Sequence, residues 1–306
     1  MLCQDQINSF HGDGFLVLRG MFQGKELQAL RQAADQVLLD GVAARGPHHI
    51  YHDTPEGRRI YYRSEHMWSR ADIFQAATVN PALLEAIGQC TGHPFLPIND
   101  SFVCKLPYGN VPINWHQDPF KPVTQDVTSE IPNFDVDIYL DRSTVENGCV
   151  WGIPGRHLIG QLDLSALSQE DFFHHPDAVP MEMEPGDVLF HCISALHGSA
   201  GNRTSDLRRI FYVHYMAREV LEHNYPFWVS GGKSYDAMRV SVQRMLELRR
   251  RLGFHGLEEG RMQLDTRGFV FTGAPSTPER HWRDLASRLS HEEVARLRDL
   301  RPAVLA

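Results

Sequence analysis

Apolar residues recur at helical spacing in the first third of the chain. They predict helices over residues 4–11 and 23–40, and a third helix over residues 80–91. Asn80 and Pro81 fall at the N-cap and first-turn positions of that third helix, which these residue types favour.

Residues 45–75 show neither a helical nor a strand period. Histidine, tyrosine and tryptophan alternate irregularly with charged residues there, including Tyr61, Tyr62 and Trp68. This composition predicts an irregular segment. Two interpretations stay open: a surface loop with its rings against the core, or the wall or lid of a pocket.

From about residue 95 the apolar period shortens toward two residues, as in half-buried strands. A first strand is predicted at residues 14–20, and the others at residues 100–107, 112–118, 134–141, 148–153, 180–184, 187–191, 196–199 and 207–216. Many short strands separated by turn signals are typical of a sandwich or barrel. Residues 155–179 are too long and polar for a hairpin and are expected to lie outside the barrel.

The helical pattern returns in the last third of the chain. It predicts helices over residues 234–252, 278–288 and 291–300, the last opened by a capping box of Ser290 and Glu293. Internal repeats and low-complexity tracts are absent from the sequence. We therefore expect one domain over residues 1–306, with a β core at about 95–218, an N-terminal part at 1–94 and a C-terminal extension at 219–306.

Composition restricts the compartment and the classes of partner. The net charge of −8 argues against nucleic acid and anionic membranes. Every apolar stretch is shorter than the roughly 20 residues of a membrane helix, and the first residues lack a signal-peptide pattern. The five cysteines form no CxxC pair, which favours free thiols in a reducing compartment. We expect a cytoplasmic protein that is a monomer or a homodimer.

His116 and Asp118 lie two residues apart in a predicted strand. Residues i and i+2 of a strand point to the same face, so these side chains project together while Gln117 points away. One neutral nitrogen and one anionic oxygen make two-thirds of a 2-His-1-carboxylate iron site. The third ligand must come from elsewhere in the sequence.

Several histidines could complete this site. His197 follows a turn and a strand, and hairpin-linked strands of a barrel can bring it beside the first two ligands. His175 and Asp177 form a second His-x-Asp, but the proline between them breaks a strand ladder. His191 and His214 are alternative distal ligands, or else a polar group near the site and a core histidine. With 17 histidines in the chain, spacing alone leaves the choice open.

Three segments match a known family pattern in order and spacing. They are Trp115-His116-Gln117-Asp118, the run from Glu146-Asn147-Gly148 to Pro154-Gly155-Arg156-His157, and Pro185-Gly186-Asp187 followed by Leu196-His197-Gly198-Ser199, Asn202-Arg203-Thr204 and Arg208-Arg209. Together they resemble the phytanoyl-CoA dioxygenase family of iron(II)- and 2-oxoglutarate-dependent oxygenases, over roughly residues 10–218.

The resemblance implies a fold and a metal site. The fold is mainly β with α decoration: a double-stranded β-helix (jelly-roll, cupin-like) core flanked by N- and C-terminal helices. Fe(II) would be bound by His116, Asp118 and His197, with 2-oxoglutarate and O2 as co-substrates. Arg208, eleven positions beyond the distal histidine, would pair with the far carboxylate of 2-oxoglutarate. A guanidinium forms the bidentate pair that lysine cannot copy.

Three further residues are candidates for binding 2-oxoglutarate. Ser199, two positions past the distal histidine, could reach the same carboxylate. Lys105 and Asn114 lie on neighbouring strands, where contact with the co-substrate and a structural or solvent role are both open. Arg209 points to the opposite face of its strand from Arg208 and is interpreted as a surface charge.

One strand departs from the family pattern. Alternation places Asp135, Asp137, Tyr139 and Asp141 on one face, whereas some relatives have an aromatic residue near the position of Asp137. Either this face is solvated, or Asp137 points inward toward a polar or cationic substrate. The candidates for substrate contacts are Tyr61, Trp68, Asp137 and Trp228.

The resemblance also implies a reaction. It is hydroxylation of an unactivated C–H bond of a small-molecule metabolite, with release of succinate and CO2. Natural-product biosynthesis is one setting for such a reaction. Desaturation or ring formation would require only a different placement of the substrate. Asp118 disfavours halogenation, because related halogenases lack this carboxylate. The rivals are a metal-binding jelly-roll protein without 2-oxoglutarate turnover (a cupin-like isomerase or binding module) and a 2-oxoglutarate-independent iron dioxygenase. Neither accounts for Ser199 and Arg208 at these spacings.

Overall fold

The strands of the computed structural model form two antiparallel sheets and a C-terminal hairpin. The structure describes residues 2–118, 133–165, 168–225, 228–229, 231–257, 260–273 and 287–301. The strands are β1 (Phe15–Leu18), β2 (His49–Asp53), β3 (Arg59–Glu65), β4 (Leu96–Lys105), β5 (Ile113–His116), β6 (Asn133–Tyr139), β7 (Val150–Ile153), β8 (Val179–Met181), β9 (Val188–Cys192), β10 (Leu196–Ser199), β11 (Arg208–Met216), β12 (Met262–Asp265) and β13 (Gly268–Phe271).

The two large sheets form a jelly roll. The seven-stranded sheet has the order β1-β9-β6-β11-β4-β3-β2, and the four-stranded sheet has the order β5-β10-β7-β8. Tyr139, Leu189 and Ile210 of the first sheet pack against Val150 and Met181 of the second. This interior contact confirms the predicted double-stranded β-helix core.

Helices cover the outer face of the larger sheet. They are α1 (Gln4–Asp13), α2 (Gly24–Val42), α3 (Asp72–Thr78), α4 (Pro81–Thr91), α5 (Arg218–Asn224) and α6 (Tyr235–Arg251). A further helix, α7 (His291–Arg298), packs against the turn Arg156–Ile159 that follows the small-sheet strand β7. Phe10 of α1 stacks on Phe190 of β9 with ring centroids 4.4 Å apart, and Phe74 of α3 contacts Phe211 of β11 at 4.9 Å. Within the described ranges, none of these helices has the length and apolarity needed to cross a membrane.

The predicted helix boundaries agree closely with the structure where it describes them. Asn80 caps α4 by accepting hydrogen bonds from the Ala82 and Leu83 amides, and Ser290 and Glu293 form the expected capping box of α7. Most of the helix predicted over residues 278–288 lies outside the described residues.

The prediction of irregular structure for residues 45–75 is wrong. β2 and β3 form a hairpin, and β3 pairs with β4 at the edge of the seven-stranded sheet. Partners on β4 supply backbone hydrogen bonds that leave no periodic signal in the local sequence. This hairpin brings Tyr62 and Arg63 to the interior of the jelly roll.

The β12–β13 hairpin was not predicted from the sequence. Its Phe269 is fully buried and forms an isolated bridge with Phe95, the residue just before β4. Met262 and Phe269 belong to the same hydrophobic cluster as the outer face of the large sheet.

Candidate metal centre and cavity

Two histidines and a carboxylate converge at one end of the small sheet. His197 on β10 is the direct partner of His116 on β5, and their ring centroids are 4.3 Å apart. Asp118 follows β5 and is held there by a hydrogen bond from its amide to the carbonyl of Ile193, 2.9 Å long. One ligand atom from each of His116, Asp118 and His197 lies within 4.8 Å of the others.

Backbone carbonyls fix the orientation of both imidazoles. The Nδ1 of His116 lies 2.6 Å from the carbonyl of Asn114, and that of His197 lies 3.1 Å from the carbonyl of Ala195. A carbonyl only accepts, so each Nδ1 carries hydrogen and donates. In the neutral ring the lone pair is then on Nε2, and the Nε2 atoms of His116 and His197 lie 3.3 Å and 3.8 Å from the carboxylate of Asp118. Second-sphere bonds of this kind set the tautomer that binds metals.

The electrostatics favour the metal-binding forms of His197 and Asp118, whereas the pKa of His116, which burial alone would lower, is raised by the Asp118 carboxylate. Burial lowers the pKa of His197 to about 3, and the neighbouring His116 adds to the effect. Burial alone would raise the pKa of Asp118, but His197 and His116 outweigh it and hold that pKa below its usual range. At neutral pH the site thus offers a neutral imidazole and a carboxylate, the metal-binding forms.

A metal ion fits this arrangement. The Oδ2 atom of Asp118 is buried and has no hydrogen-bond partner within the described ranges, which is costly for a carboxylate unless a cation approaches it. Two nitrogens and one oxygen are the donor set of non-haem iron(II) sites, which leave other positions open for reactants.

The rival ligands lie elsewhere or beside this group. His175 contacts the carbonyl of Asp299, and Asp177 pairs with Arg156 at 3.0 Å, so the second His-x-Asp is held in structural contacts. His191 does lie near the centre: its ring is 4.7 Å from that of His197.

A cavity of about 170 Å³ opens at this centre. The three candidate metal ligands line one wall of this cavity, on the side of the small sheet. The wall residues opposite them include Asn99, Asp135, His191, Tyr212, His214 and Tyr225. Most of its other walls therefore come from inward positions of the large sheet.

Arg208 is a buried cation with free donors. It begins β11 opposite Lys105 and is 1% exposed, yet its Nε and Nη1 have no hydrogen-bond partner among the residues that the structure describes. A buried guanidinium with unpaired N–H groups fits a carboxylate from a ligand. Ser199, also buried, lines the cavity.

The other two residues predicted to bind 2-oxoglutarate have structural contacts. The ammonium of Lys105 donates to the carbonyls of Val111 at 2.8 Å and Ala200 at 2.6 Å. The side chain of Asn114 is exposed, and its carbonyl accepts the bond from His116. A contact of either residue with 2-oxoglutarate stays a prediction.

The predicted substrate residues separate into two groups. Tyr61 is buried with its hydroxyl 2.6 Å from Ser64, and Trp68 donates its indole N–H to Thr78; neither is among the residues that line the cavity. Asp137 does point inward and is 1% exposed. Trp228 stacks on Tyr225, a cavity wall, at 4.6 Å. Their contacts with substrate stay predictions.

His191 and Asp137 form a buried pair beside the centre. The His191 Nε2 lies 3.5 Å from Asp137 Oδ1. Burial alone would lower the pKa of His191, but the carboxylate of Asp137, with those of Asp135 and Asp118, raises it to about 10. The charged form of His191 is therefore favoured beside Asp137, although burial also raises the pKa of Asp137. The sequence left His191 open as a metal ligand, and one of its ring nitrogens lies within 4.8 Å of ligand atoms of Asp118 and Asp135.

The interpretation of Arg209 as a surface charge is wrong. It is 3% exposed, its guanidinium binds Asp141 through bonds of 2.7 Å and 2.9 Å, and it also contacts Asp35 of α2. The outer face of β11 is covered by helix rather than solvent, so a residue pointing away from the cavity is still buried.

Sequence reasoning missed Arg63 and Tyr212 as cavity residues and left Tyr62 and His214 open. Arg63 was hidden by the expectation of an irregular segment, because only strand pairing shows which residues point inward. Tyr212 and His214 follow Arg208 at intervals of two on β11 and line the cavity. The period of two could have identified them.

Comparisons with known proteins give consistent results. A family model described as phytanoyl-CoA dioxygenase (PhyH) matches residues 10–210. A methylphosphonate hydroxylase from Gimesia maris is 27% identical over 219 residues, covering 71% of this chain and 81% of that protein. The crystal structure of EvdMO1 is 25% identical with a TM-score of 0.59, over 69% of this chain and 49% of that one. EctD from S. alaskensis, solved with 2-oxoglutarate and 5-hydroxyectoine, has a TM-score of 0.60 at 21% identity, over 71% of this chain and 77% of that one.

Proposed function

Because the chain belongs to the phytanoyl-CoA dioxygenase family and is an iron(II)- and 2-oxoglutarate-dependent oxygenase, we propose that it hydroxylates a C–H bond of a small-molecule metabolite at the His116, Asp118 and His197 centre. 2-Oxoglutarate is converted to succinate and CO2 in the same cycle. One observation carries the proposal: three metal-ligand side chains converge inside the same jelly roll as a buried arginine with unpaired donors.

Each residue has a defined task in this proposal. His116, Asp118 and His197 hold Fe(II), and Arg208 with Ser199 binds the far carboxylate of 2-oxoglutarate. Iron(II), when bound with 2-oxoglutarate and O2, supplies the oxidant for the C–H bond. The carbonyls of Asn114 and Ala195 accept hydrogen bonds from Nδ1 of His116 and His197 and so keep the two imidazole rings oriented toward the metal.

The size of the cavity supports chemistry on a small substrate. Its volume among the described residues is about 170 Å³, so a compact metabolite fits better than a large one once 2-oxoglutarate is bound. Names of the similar proteins include a phosphonate and 5-hydroxyectoine, both small polar molecules. Natural-product biosynthesis is one setting for such an enzyme.

The proposal is tested by following succinate formed from 2-oxoglutarate with Fe(II) and ascorbate. Wild-type protein is expected to release succinate slowly without substrate and faster with it. Asp118→Ala and Arg208→Ala are expected to abolish this turnover, whereas Arg203→Ala, at an exposed position on the loop before β11, leaves it intact. Unchanged succinate formation in Asp118→Ala would exclude this site.

A further inference from the structure

Asp135 is a carboxyl group in the cavity wall that receives no hydrogen bond from the described residues. It lies on the inner face of β6, opposite His191 on one side and His214 on the other. Its side chain is 16% exposed. Throughout the described ranges, no side chain or backbone group donates a hydrogen bond to it, although buried carboxylates normally have such partners.

The other charged groups around the cavity have their own partners. Arg63 binds Glu65 at 2.6 Å, and the Asp100 carboxylate accepts the backbone amide of Trp68 at 2.8 Å. His191 is paired with Asp137. Lys233 donates to the amide oxygen of Asn99 at 2.5 Å and lies over the Trp228 ring. Burial and the carboxylates of Asp118 and Asp137 raise the pKa of Asp135, so a cationic ligand group beside it would favour its charged form.

His214 adds a second acceptor at the same place. Its Nε2 lies 2.8 Å from the amide oxygen of Asn133, which accepts, so Nε2 carries the hydrogen. Burial lowers the pKa of His214 to about 3, so the ring is neutral. The lone pair of Nδ1 therefore faces Asp135 Oδ1 at 3.9 Å. Two acceptors with no donor between them match a ligand group that donates to both.

Aromatic rings complete this part of the cavity. Tyr225 lies 6.0 Å from the His214 ring in an edge-to-face arrangement and is backed by Trp228 at 4.6 Å. Tyr212, two residues before His214 on β11 and on the same face, also lines the cavity. Aromatic rings beside a carboxyl group favour a cation over an anion, and Lys233 already lies over the outer ring, that of Trp228, at 4.6 Å.

We propose that Asp135 and His214 bind a protonated amine of the substrate. The inference rests on the proposed function, and it assigns the substrate class: a small primary or secondary amine. A ligand atom of Asp118 and one of Asp135 lie within 4.8 Å of each other. The oxidised carbon therefore lies close to the nitrogen in the substrate. Asp137, which the sequence suggested for a cation, is already occupied by His191.

The test uses full-length protein loaded with Ni(II), which does not support turnover, and 2-oxoglutarate. Binding of three probes of similar size is measured by ligand-observed NMR: n-propylammonium, 1-propanol and propionate. Wild-type protein is expected to bind n-propylammonium about tenfold more tightly than 1-propanol, since a charged hydrogen bond exceeds a neutral one by this order. Propionate is expected to bind most weakly in this region.

Two variants locate the preference. Asp135→Asn keeps the shape and removes the charge, and is expected to reduce the preference for n-propylammonium about tenfold. Asp206→Asn removes the same charge from an exposed turn and should retain it. Equal binding of the ammonium and the alcohol by wild-type protein overturns the inference, as does an unchanged preference in Asp135→Asn.

The two proposals fail in different ways. Wild-type protein that forms succinate but does not prefer n-propylammonium overturns the amine site alone. Wild-type protein that forms no succinate with Fe(II) overturns the proposed function, whatever the probes show. The ammonium preference needs no variant to fold, because it is first measured on the unaltered chain.

Discussion

His197 lies directly opposite His116 in the pairing of β10 with β5, with ring centroids 4.3 Å apart. This register aims both Nε2 atoms at Asp118. The two histidines are far apart in sequence, so the backbone pairing of the small sheet is what makes them neighbours.

Removing either histidine should therefore remove metal-dependent stabilisation. Excess Ni(II) is expected to raise the melting temperature of wild-type protein, because a ligand at about 100 times its Kd adds about 2.7 kcal/mol. His197→Ala should lose most of this increase. His93→Ala, at an exposed site, is the matched control and should retain it. Thermal unfolding with and without Ni(II) measures both. A full increase in His197→Ala would contradict the assignment.

Arg208→Lys is expected to raise the KM for 2-oxoglutarate by about 10- to 100-fold. Lysine keeps the positive charge but loses the planar pair of donors, of which Nε and Nη1 are unpaired in the described structure. Steady-state succinate formation across a range of 2-oxoglutarate concentrations measures this. Arg203→Lys serves as control, being exposed. An unchanged KM would place the far carboxylate elsewhere.

Arg209→Ala should destabilise the fold by about 3 kcal/mol, because the buried carboxylate of Asp141 then keeps only the half-exposed Arg31, at 3.5 Å, as a cation. The contrasting substitution is Arg142→Ala. That residue pairs with Glu184 at the surface, where such pairs contribute about 0–1 kcal/mol. Urea unfolding of both variants gives the comparison. Similar losses in the two variants would show that the buried pair has no special role.

Stability is expected to fall as pH drops below 6.5, in part through His157. Burial lowers the pKa of this ring from 6.5 to about 4, so the unfolded chain binds the proton first. The stability that the neutral ring contributes is complete above pH 6.5 and is lost as pH falls toward 4, by up to about 3 kcal/mol.

His157→Gln isolates this contribution. Glutamine can still donate to the carbonyl of His11, which His157 Nε2 contacts at 3.0 Å, but does not titrate. Urea unfolding from pH 7.5 to 4.5 should show a shallower loss in the variant than in wild-type protein. Identical slopes would mean that His157 does not titrate with the expected sign.

Local sequence was sufficient where the physical rule is local. The period of two put His116 and Asp118 on one face and turned Gln117 away; Gln117 indeed donates to the carbonyls of Ser194 and Gly160. Capping residues located the starts of α4 and α7. The order and spacing of the motifs were sufficient to indicate the family.

Tertiary structure decided everything that depends on which faces are covered. The outer face of β11 was expected to meet solvent, but α2 covers it and buries Arg209 with Asp141. Asp135 and Asp137 look equivalent in sequence. Only the packing shows that His191 pairs with Asp137 and leaves Asp135 facing His214. Charge balance inside a barrel is set by neighbours across the sheet, and strand register, which the sequence does not state, selects those neighbours.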